Sequence, residues 1–260
     1  RSWRKNMANE LPLLALILIV AFSGCAKPQL DFAETNLGID DENIYMPAKS
    51  FDEISFATDD GFVISGNLWR GKGDAILLLH ILDSSKESYS SFGEKLNAAG
   101  FTVLAIDLRG HGSSLEQDGL KRPWRDFSNA EFGRMELDVA SAKKFLGQQG
   151  FALRHIVGAS IGANTALNYS AKDPSVQKLV LLSPGLDYRG VKTKKNAPKV
   201  TAKTLIVASE EDAYSFGSSK TLADLIPNAE LKELRGAGHG TRMLSGTRLE
   251  DEIAQWLNKS

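Results

Sequence analysis

Ser160 stands in Gly158-Ala159-Ser160-Ile161-Gly162, between a short apolar run and a stretch of small residues. A serine hydroxyl is a weak nucleophile until a neighbouring base takes its proton. G-x-S-x-G between a strand and a helix is a nucleophile elbow, a sharp and strained turn that lifts the hydroxyl above a sheet. Side chains two before and two after the serine would collide, hence the two glycines. A helix starting at Ile161 aims free N–H groups and the positive end of its dipole at the same point. The plainer alternative is a tight glycine turn with a bystander serine.

Other residues have types that suit this chemistry. His239 lies in Gly236-Ala237-Gly238-His239-Gly240, where flanking glycines let an imidazole approach a nucleophile; otherwise it is a solvated histidine on a surface loop. Glu210, Glu211 and Asp212 follow the apolar run 204–208. The remaining histidines, His80, His111 and His155, are far apart and show no short metal-ligand spacing. Cys25 is the single cysteine, so neither a disulfide within the chain nor a multi-cysteine metal site is available. No metal and no organic cofactor is implied.

The elements that must position these residues alternate. Residues 51–58 and 62–70 read as two strands around the turn Asp59-Asp60-Gly61. Ala75-Ile76-Leu77-Leu78-Leu79 is continuous and apolar, as for a strand buried on both faces. Phe92, Leu96 and Ala99 mark a helix, and 101–106 a further buried strand. Phe132, Met135, Val139, Ala142 and Leu146 recur at three and four, the period of one amphipathic helix. Strands at 156–157, 179–182, 204–208 and 230–234 then alternate with helices at 161–171 and 222–226, and Leu249, Ile253, Trp256 and Leu257 mark a last helix. A hairpin followed by strand–helix units implies an α/β domain over residues 50–260: a mostly parallel eight-stranded sheet with an N-terminal antiparallel hairpin, helices on both faces and no large cap.

On these residues the chain from 50 to 260 resembles the α/β-hydrolase family. Asp107-Leu108-Arg109-Gly110-His111-Gly112-Ser113-Ser114 is similar to that family's D-x-R-G-x-G-x-S loop, which implies structural roles for Asp107 and His111. The chain order Ser, acid, His is the family's order. The resemblance implies Ser160 as nucleophile, His239 as general base and Asp212 as orienting acid, with Glu210 and Glu211 as solvated neighbours. Ser209-Glu210-Glu211-Asp212 matches the family's G-x-x-D except that serine replaces glycine. The oxyanion hole would take backbone N–H groups from Ile161 and from Leu82. Here the family has His-Gly-x, whereas this chain has His80-Ile81-Leu82. A β-branched Ile81 tolerates positive φ poorly, which would displace or remove the second donor.

The family's chemistries narrow from there. Dehalogenases and epoxide hydrolases place a carboxylate where Ser160 stands, and dienelactone hydrolases place a cysteine. Peptidase relatives bring a propeller domain for which the chain has no room. The expectation is a serine carboxylesterase acting on small esters through an acyl-enzyme, with a thioesterase or other acyl hydrolase next. A non-catalytic, hydrolase-like envelope lipoprotein that binds a ligand or partner is the alternative from another class. Leu186, Tyr188 and Val191 are candidate acyl-pocket residues; Pro123, Trp124 and Phe127 mark a second rim or packed core. Residues 184–203 read as a loop without a lid, and its Lys192, Lys194, Lys195 and Lys199 as a solvated surface, with attraction of an anionic substrate as the second reading.

The first residues read as an address. Arg1, Arg4 and Lys5 precede an apolar run over 11–22 that only Pro12 interrupts, and Ser23-Gly24-Cys25 follows. Twelve helical residues rise about 18 Å, short of a bilayer core of about 30 Å. Basic, apolar and small-residue regions in that order form a secretory signal. Small residues meeting the cysteine resemble a bacterial lipobox, with Phe22 where leucine is usual. The resemblance implies a signal peptide at 1–24, a lipidated Cys25 anchored in a cell-envelope membrane, and a tether through 49. Ala26, not aspartate, follows the cysteine and leans the expectation to the outer membrane. The whole chain carries net charge −1, with 42% hydrophobic and 24% charged residues. That suits a globular protein and supplies no basic excess for nucleic acid. Oligomeric state is not written in the sequence.

Overall fold

The computed structural model describes residues 50–245 and 248–259. The expectations for the signal peptide, Cys25 and the tether lie outside the described residues.

Eight strands form one sheet: β1 (Asp52–Ala57), β2 (Val63–Trp69), β3 (Ala75–Leu79), β4 (Thr102–Ile106), β5 (Leu153–Ala159), β6 (Lys178–Leu182), β7 (Lys203–Ser209) and β8 (Ala229–Leu234). Their order is β1-β2-β4-β3-β5-β6-β7-β8. β1 and β2 pair antiparallel, as do β2 and β4, and every later pair is parallel. The apolar runs explain why: β3 and β4 are buried along their whole length, which a sheet permits only when both faces are covered.

Alternate residues of β3 feed two cores. Leu77 and Leu79 join one cluster, with Val139, Leu146, Leu167 and Leu222 from the covering helices. Ile76 and Leu78 join the other, with Phe92, Leu96, Ile253 and Trp256. The helices are α1 (Ser90–Ala98), α2 (Asn129–Gly133), α3 (Glu136–Gln148), α4 (Ile161–Ser170), α5 (Ala213–Leu225) and α6 (Leu249–Asn258). One cluster thus lies under α2 to α5 and the other under α1 and α6.

Two local expectations are corrected. The stretch from Phe132 to Leu146 is two helices. A capping box between Ser128 and Glu131 starts α2, and Gly133 ends it. Arg134, Met135 and Leu137 then donate to carbonyls three residues back, tightening the chain before α3. Residues 184–203 contain structure: Asp187–Tyr188 pairs antiparallel with Val191–Lys192, and Ala197–Lys199 forms a 3-10 turn. The sequence signal was Arg189-Gly190 between two short extended pairs. It remains a small hairpin rather than a folded cap.

Candidate active site

Ser160 ends β5 and caps α4 with φ +54° and ψ −118°, a strained region for a residue with a side chain. Its N–H donates to the Leu182 carbonyl at 2.8 Å, and its carbonyl accepts from Asn164 N–H at 3.1 Å. A Cβ at Gly158 would lie 2.4 Å from the Gly162 carbonyl oxygen, and one at Gly162 2.5 Å from that of Leu79. Both glycines are therefore demanded by backbone contacts, and the turn brings α4 down onto the end of β3.

The β7–α5 junction places Asp212 beside His239. Asp212 caps α5, and its Oδ2 lies 2.5 Å from Nδ1 of His239. Burial pushes its carboxyl up, but hydrogen bonds from Ser215 and His239 outweigh that and hold it below its ordinary value. Glu211 is exposed, as expected from sequence, but it is not a bystander. One carboxylate oxygen accepts from Ser209 Oγ and the other from Gly236 N–H, each at 2.5 Å. Ser209 Oγ also accepts from Ala237 N–H at 3.1 Å. The serine that replaces the family's glycine thus fastens the loop that carries His239. Glu210 is exposed and pairs with Arg235 at 3.0 Å.

Ser160, Ile161, Leu82 and His239 line one pocket of about 320 Å³, together with Ile81, Asp187, Tyr188 and Arg189. The structure thus gathers Ser160, Ile161, Leu82 and His239 around one cavity, which Asp212 touches through His239. Among the hydrogen bonds of the described residues none joins Ser160 Oγ to His239. The Tyr188 hydroxyl meets Ser215 Oγ at 2.7 Å and lies near the Ser160 hydroxyl. Burial pushes that phenol up to about 12, against the pull of those two hydroxyls. Catalytic hydrogen bonds often close only once substrate is bound.

The oxyanion loop departs from expectation in an informative way. The left-handed residue there is Asp83, at φ +58°; Ile81 is not among the positive-φ residues. No glycine is required at 81. Fully buried His80 shapes this loop: its Nδ1 lies 2.7 Å from the Ile81 carbonyl, and its Nε2 lies 3.0 Å from Leu108 N–H. An N–H donor at Nε2 makes that nitrogen the acceptor, so Nδ1 carries the proton and donates to Ile81. Burial lowers the His80 pKa and keeps the ring neutral. Fixing the Ile81 carbonyl fixes the opposite face of the same trans peptide, the Leu82 N–H. Ile161, first in α4, has no intrahelical partner for its own N–H.

Other candidates have structural partners. Asp107 accepts from Lys86 N–H, Lys86 Nζ and Ser113 N–H at 2.7–2.9 Å. Arg109 lies between Asp138 and Asp60 in the core. His111 lies against Trp124, and His155 packs edge-on against Phe101. Trp124 and Pro123 line a separate cavity with His111, while Phe127 packs between Phe62 and Phe132. Of the expected acyl-pocket residues only Tyr188 lines the pocket; Val191 is buried in the core and Leu186 packs against it. Arg189 of the hairpin was missed, and Asp187, a second choice from sequence for the acid beside the histidine, lies at the pocket rim while Asp212 meets His239.

Residues 72–191 match the family described as serine aminopeptidase, S33. The fold is that of the α/β-hydrolases. A serine hydrolase of Mus musculus, BPHL, is 37% identical over 114 residues, covering 43% of this chain and 36% of the relative. An uncharacterized protein of Mycobacterium tuberculosis is 33% identical over 116 residues, covering 44% and 30%. The chain spans about a third of the length of these curated relatives. Among solved α/β-hydrolases, an esterase from Exiguobacterium antarcticum superposes with a TM-score of 0.66 at 14% identity, over 80% of this chain and all of that one. At that identity the likeness is one of fold.

Proposed function

We propose that this α/β-hydrolase is a serine esterase acting on small carboxylic esters through an acyl-enzyme. The observation that carries the reading is the 2.5 Å contact between Asp212 and His239 Nδ1, with His239 and Ser160 on the walls of one small pocket. The carboxylate at Nδ1 holds the imidazole with Nε2 free to act as base.

In the first half-reaction Ser160 Oγ attacks the carbonyl carbon and its proton passes to His239. The oxyanion is met by the N–H groups of Ile161 and Leu82. Collapse expels the alcohol, which takes the proton from His239. Water then attacks the acyl-enzyme with His239 again as base, and the acid leaves. A pocket of about 320 Å³ is at the small end for ligand sites, which favours short acyl groups. Ser160→Ala should abolish p-nitrophenyl butyrate hydrolysis and leave the circular dichroism spectrum unchanged. Undiminished turnover in that variant would refute the reading.

We also propose that Cys25 is lipidated after removal of residues 1–24, and that the domain works at the bacterial envelope, with the outer membrane favoured. The basic start, the apolar run and Ser23-Gly24-Cys25 support this. Labelling of cells with an alkyne fatty acid should mark the wild type and spare Cys25→Ala. A labelled Cys25→Ala chain would contradict it.

A further inference from the structure

We infer that Arg189 selects esters that carry a negative charge near the scissile carbonyl. This rests on Ser160 being the nucleophile of the pocket. Arg189 is exposed and lines the same cavity as Ser160 and His239. No carboxylate among the described residues forms an ion pair with it; its nearest recorded partner is the Phe132 ring, 6.0 Å from the guanidinium carbon. A cation held at a pocket rim without an acidic partner is available to a ligand.

The backbone gives a second reason. Tyr188 pairs with Val191, so Arg189 and Gly190 are the whole turn, at φ +52° and +83°. Such two-residue turns favour Asn or Gly at the first place. Arginine there bears strain with a distant Phe132 ring as its one side-chain contact among the described residues, and strain of that kind gathers at ligand sites. The hairpin is also fixed in place. The Tyr214 hydroxyl accepts from Asp187 N–H and donates to its carbonyl, both at 2.9 Å. Asn164 Nδ2 donates to the Val191 carbonyl at 2.7 Å. A Cβ on Gly190 would lie 2.7 Å from that of Asn129, so the turn sits against α2.

Over residues 187–199 five cations stand against one acid. Asp187, the one acid at the rim, accepts from Gly190 N–H at 2.7 Å and so closes the turn. Lys192, Lys194, Lys195 and Lys199 follow, all exposed and none in an ion pair among the described residues. An anionic substrate would meet this field first and Arg189 last.

The test uses the purified full chain and two matched pairs of esters. p-Nitrophenyl pentanoate and mono-p-nitrophenyl glutarate differ by a charge on the acyl side. Phenyl acetate and 4-acetoxybenzoate differ by a charge on the leaving side. In at least one pair the anionic ester should have the higher kcat/KM, by about two- to fivefold at low salt, the scale of an exposed ion pair. The preference should shrink at 0.5 M KCl, survive in Arg189→Lys and reverse in Arg189→Glu. Equal ratios in wild type and Arg189→Glu for both pairs would overturn the inference. Loss of all four activities together with an unreactive Ser160 would instead strike the esterase reading beneath it.

Discussion

A Cβ on Gly240 would lie 2.4 Å from Cγ2 of Ile81, so the loop carrying His239 is packed directly on the loop carrying Leu82. The isoleucine that replaces the family's glycine fills space that another glycine leaves open. His239 and Leu82 are therefore positioned by one contact. Gly240 is also left-handed, at φ +58°. Gly240→Ala should cost about 1–3 kcal/mol through strain and overpacking. Urea unfolding would show the loss, and kcat should fall with it. A fully stable and active variant would mean the two loops move apart freely.

His80 should matter for rate more than for substrate binding. Without its Nδ1–H bond to Ile81 the peptide that presents Leu82 N–H is free to turn. Losing an oxyanion donor costs about 10²–10³ in rate. His80→Gln should accordingly lower kcat by about 10²-fold and leave KM within a few-fold. A change confined to KM would remove Leu82 from the oxyanion hole.

The three consecutive acids should separate cleanly by kinetics. Asp212→Asn removes the carboxylate beside His239 and should reduce kcat by about 10⁴-fold. Glu211→Gln disturbs a support, with partners Ser209 and Gly236, and should cost no more than about tenfold. Glu210→Gln, on the exposed side with Arg235, should change little. Equal losses at 211 and 212 would reopen the assignment of the acid.

Acid stability should carry the mark of His155. Burial holds it at about 4, below its ordinary value of 6.5, and its Nδ1 has no partner among the described residues. The unfolded chain therefore binds a proton between those values that the folded chain refuses. The stability from this group is complete above pH 6.5 and is lost as pH falls toward 4, by up to about 3 kcal/mol. His155→Phe should flatten the pH dependence of the urea midpoint over that window. An unchanged slope would assign it to other groups; His111, also held at about 4 by burial, is the first of these.

The sheet was legible because its strands are continuous apolar runs, and the elbow because two glycines answer two backbone contacts. His239 and Asp212 were legible from their loops after β8 and β7. The roles of Ser209 and Glu211 were not, since a hydroxyl and a carboxylate that bond to backbone N–H groups twenty-five or more residues away leave no local pattern. The expected defect at Ile81 was misread for a related reason. Which residue of a loop takes the left-handed turn depends on what packs beside it, and Gly240 stands far down the chain. The 187–192 hairpin was missed because two-residue strands fall below any periodicity, although Arg189-Gly190 marked its turn.

The central claim is that Ser160 is an activated nucleophile served by His239. Treating the purified full chain with a fluorophosphonate probe and locating the adduct by mass spectrometry tests it most directly. The account requires a label on Ser160 that disappears in His239→Ala while the fold is retained. A folded chain that stays unlabelled, or one that labels equally without His239, would contradict it.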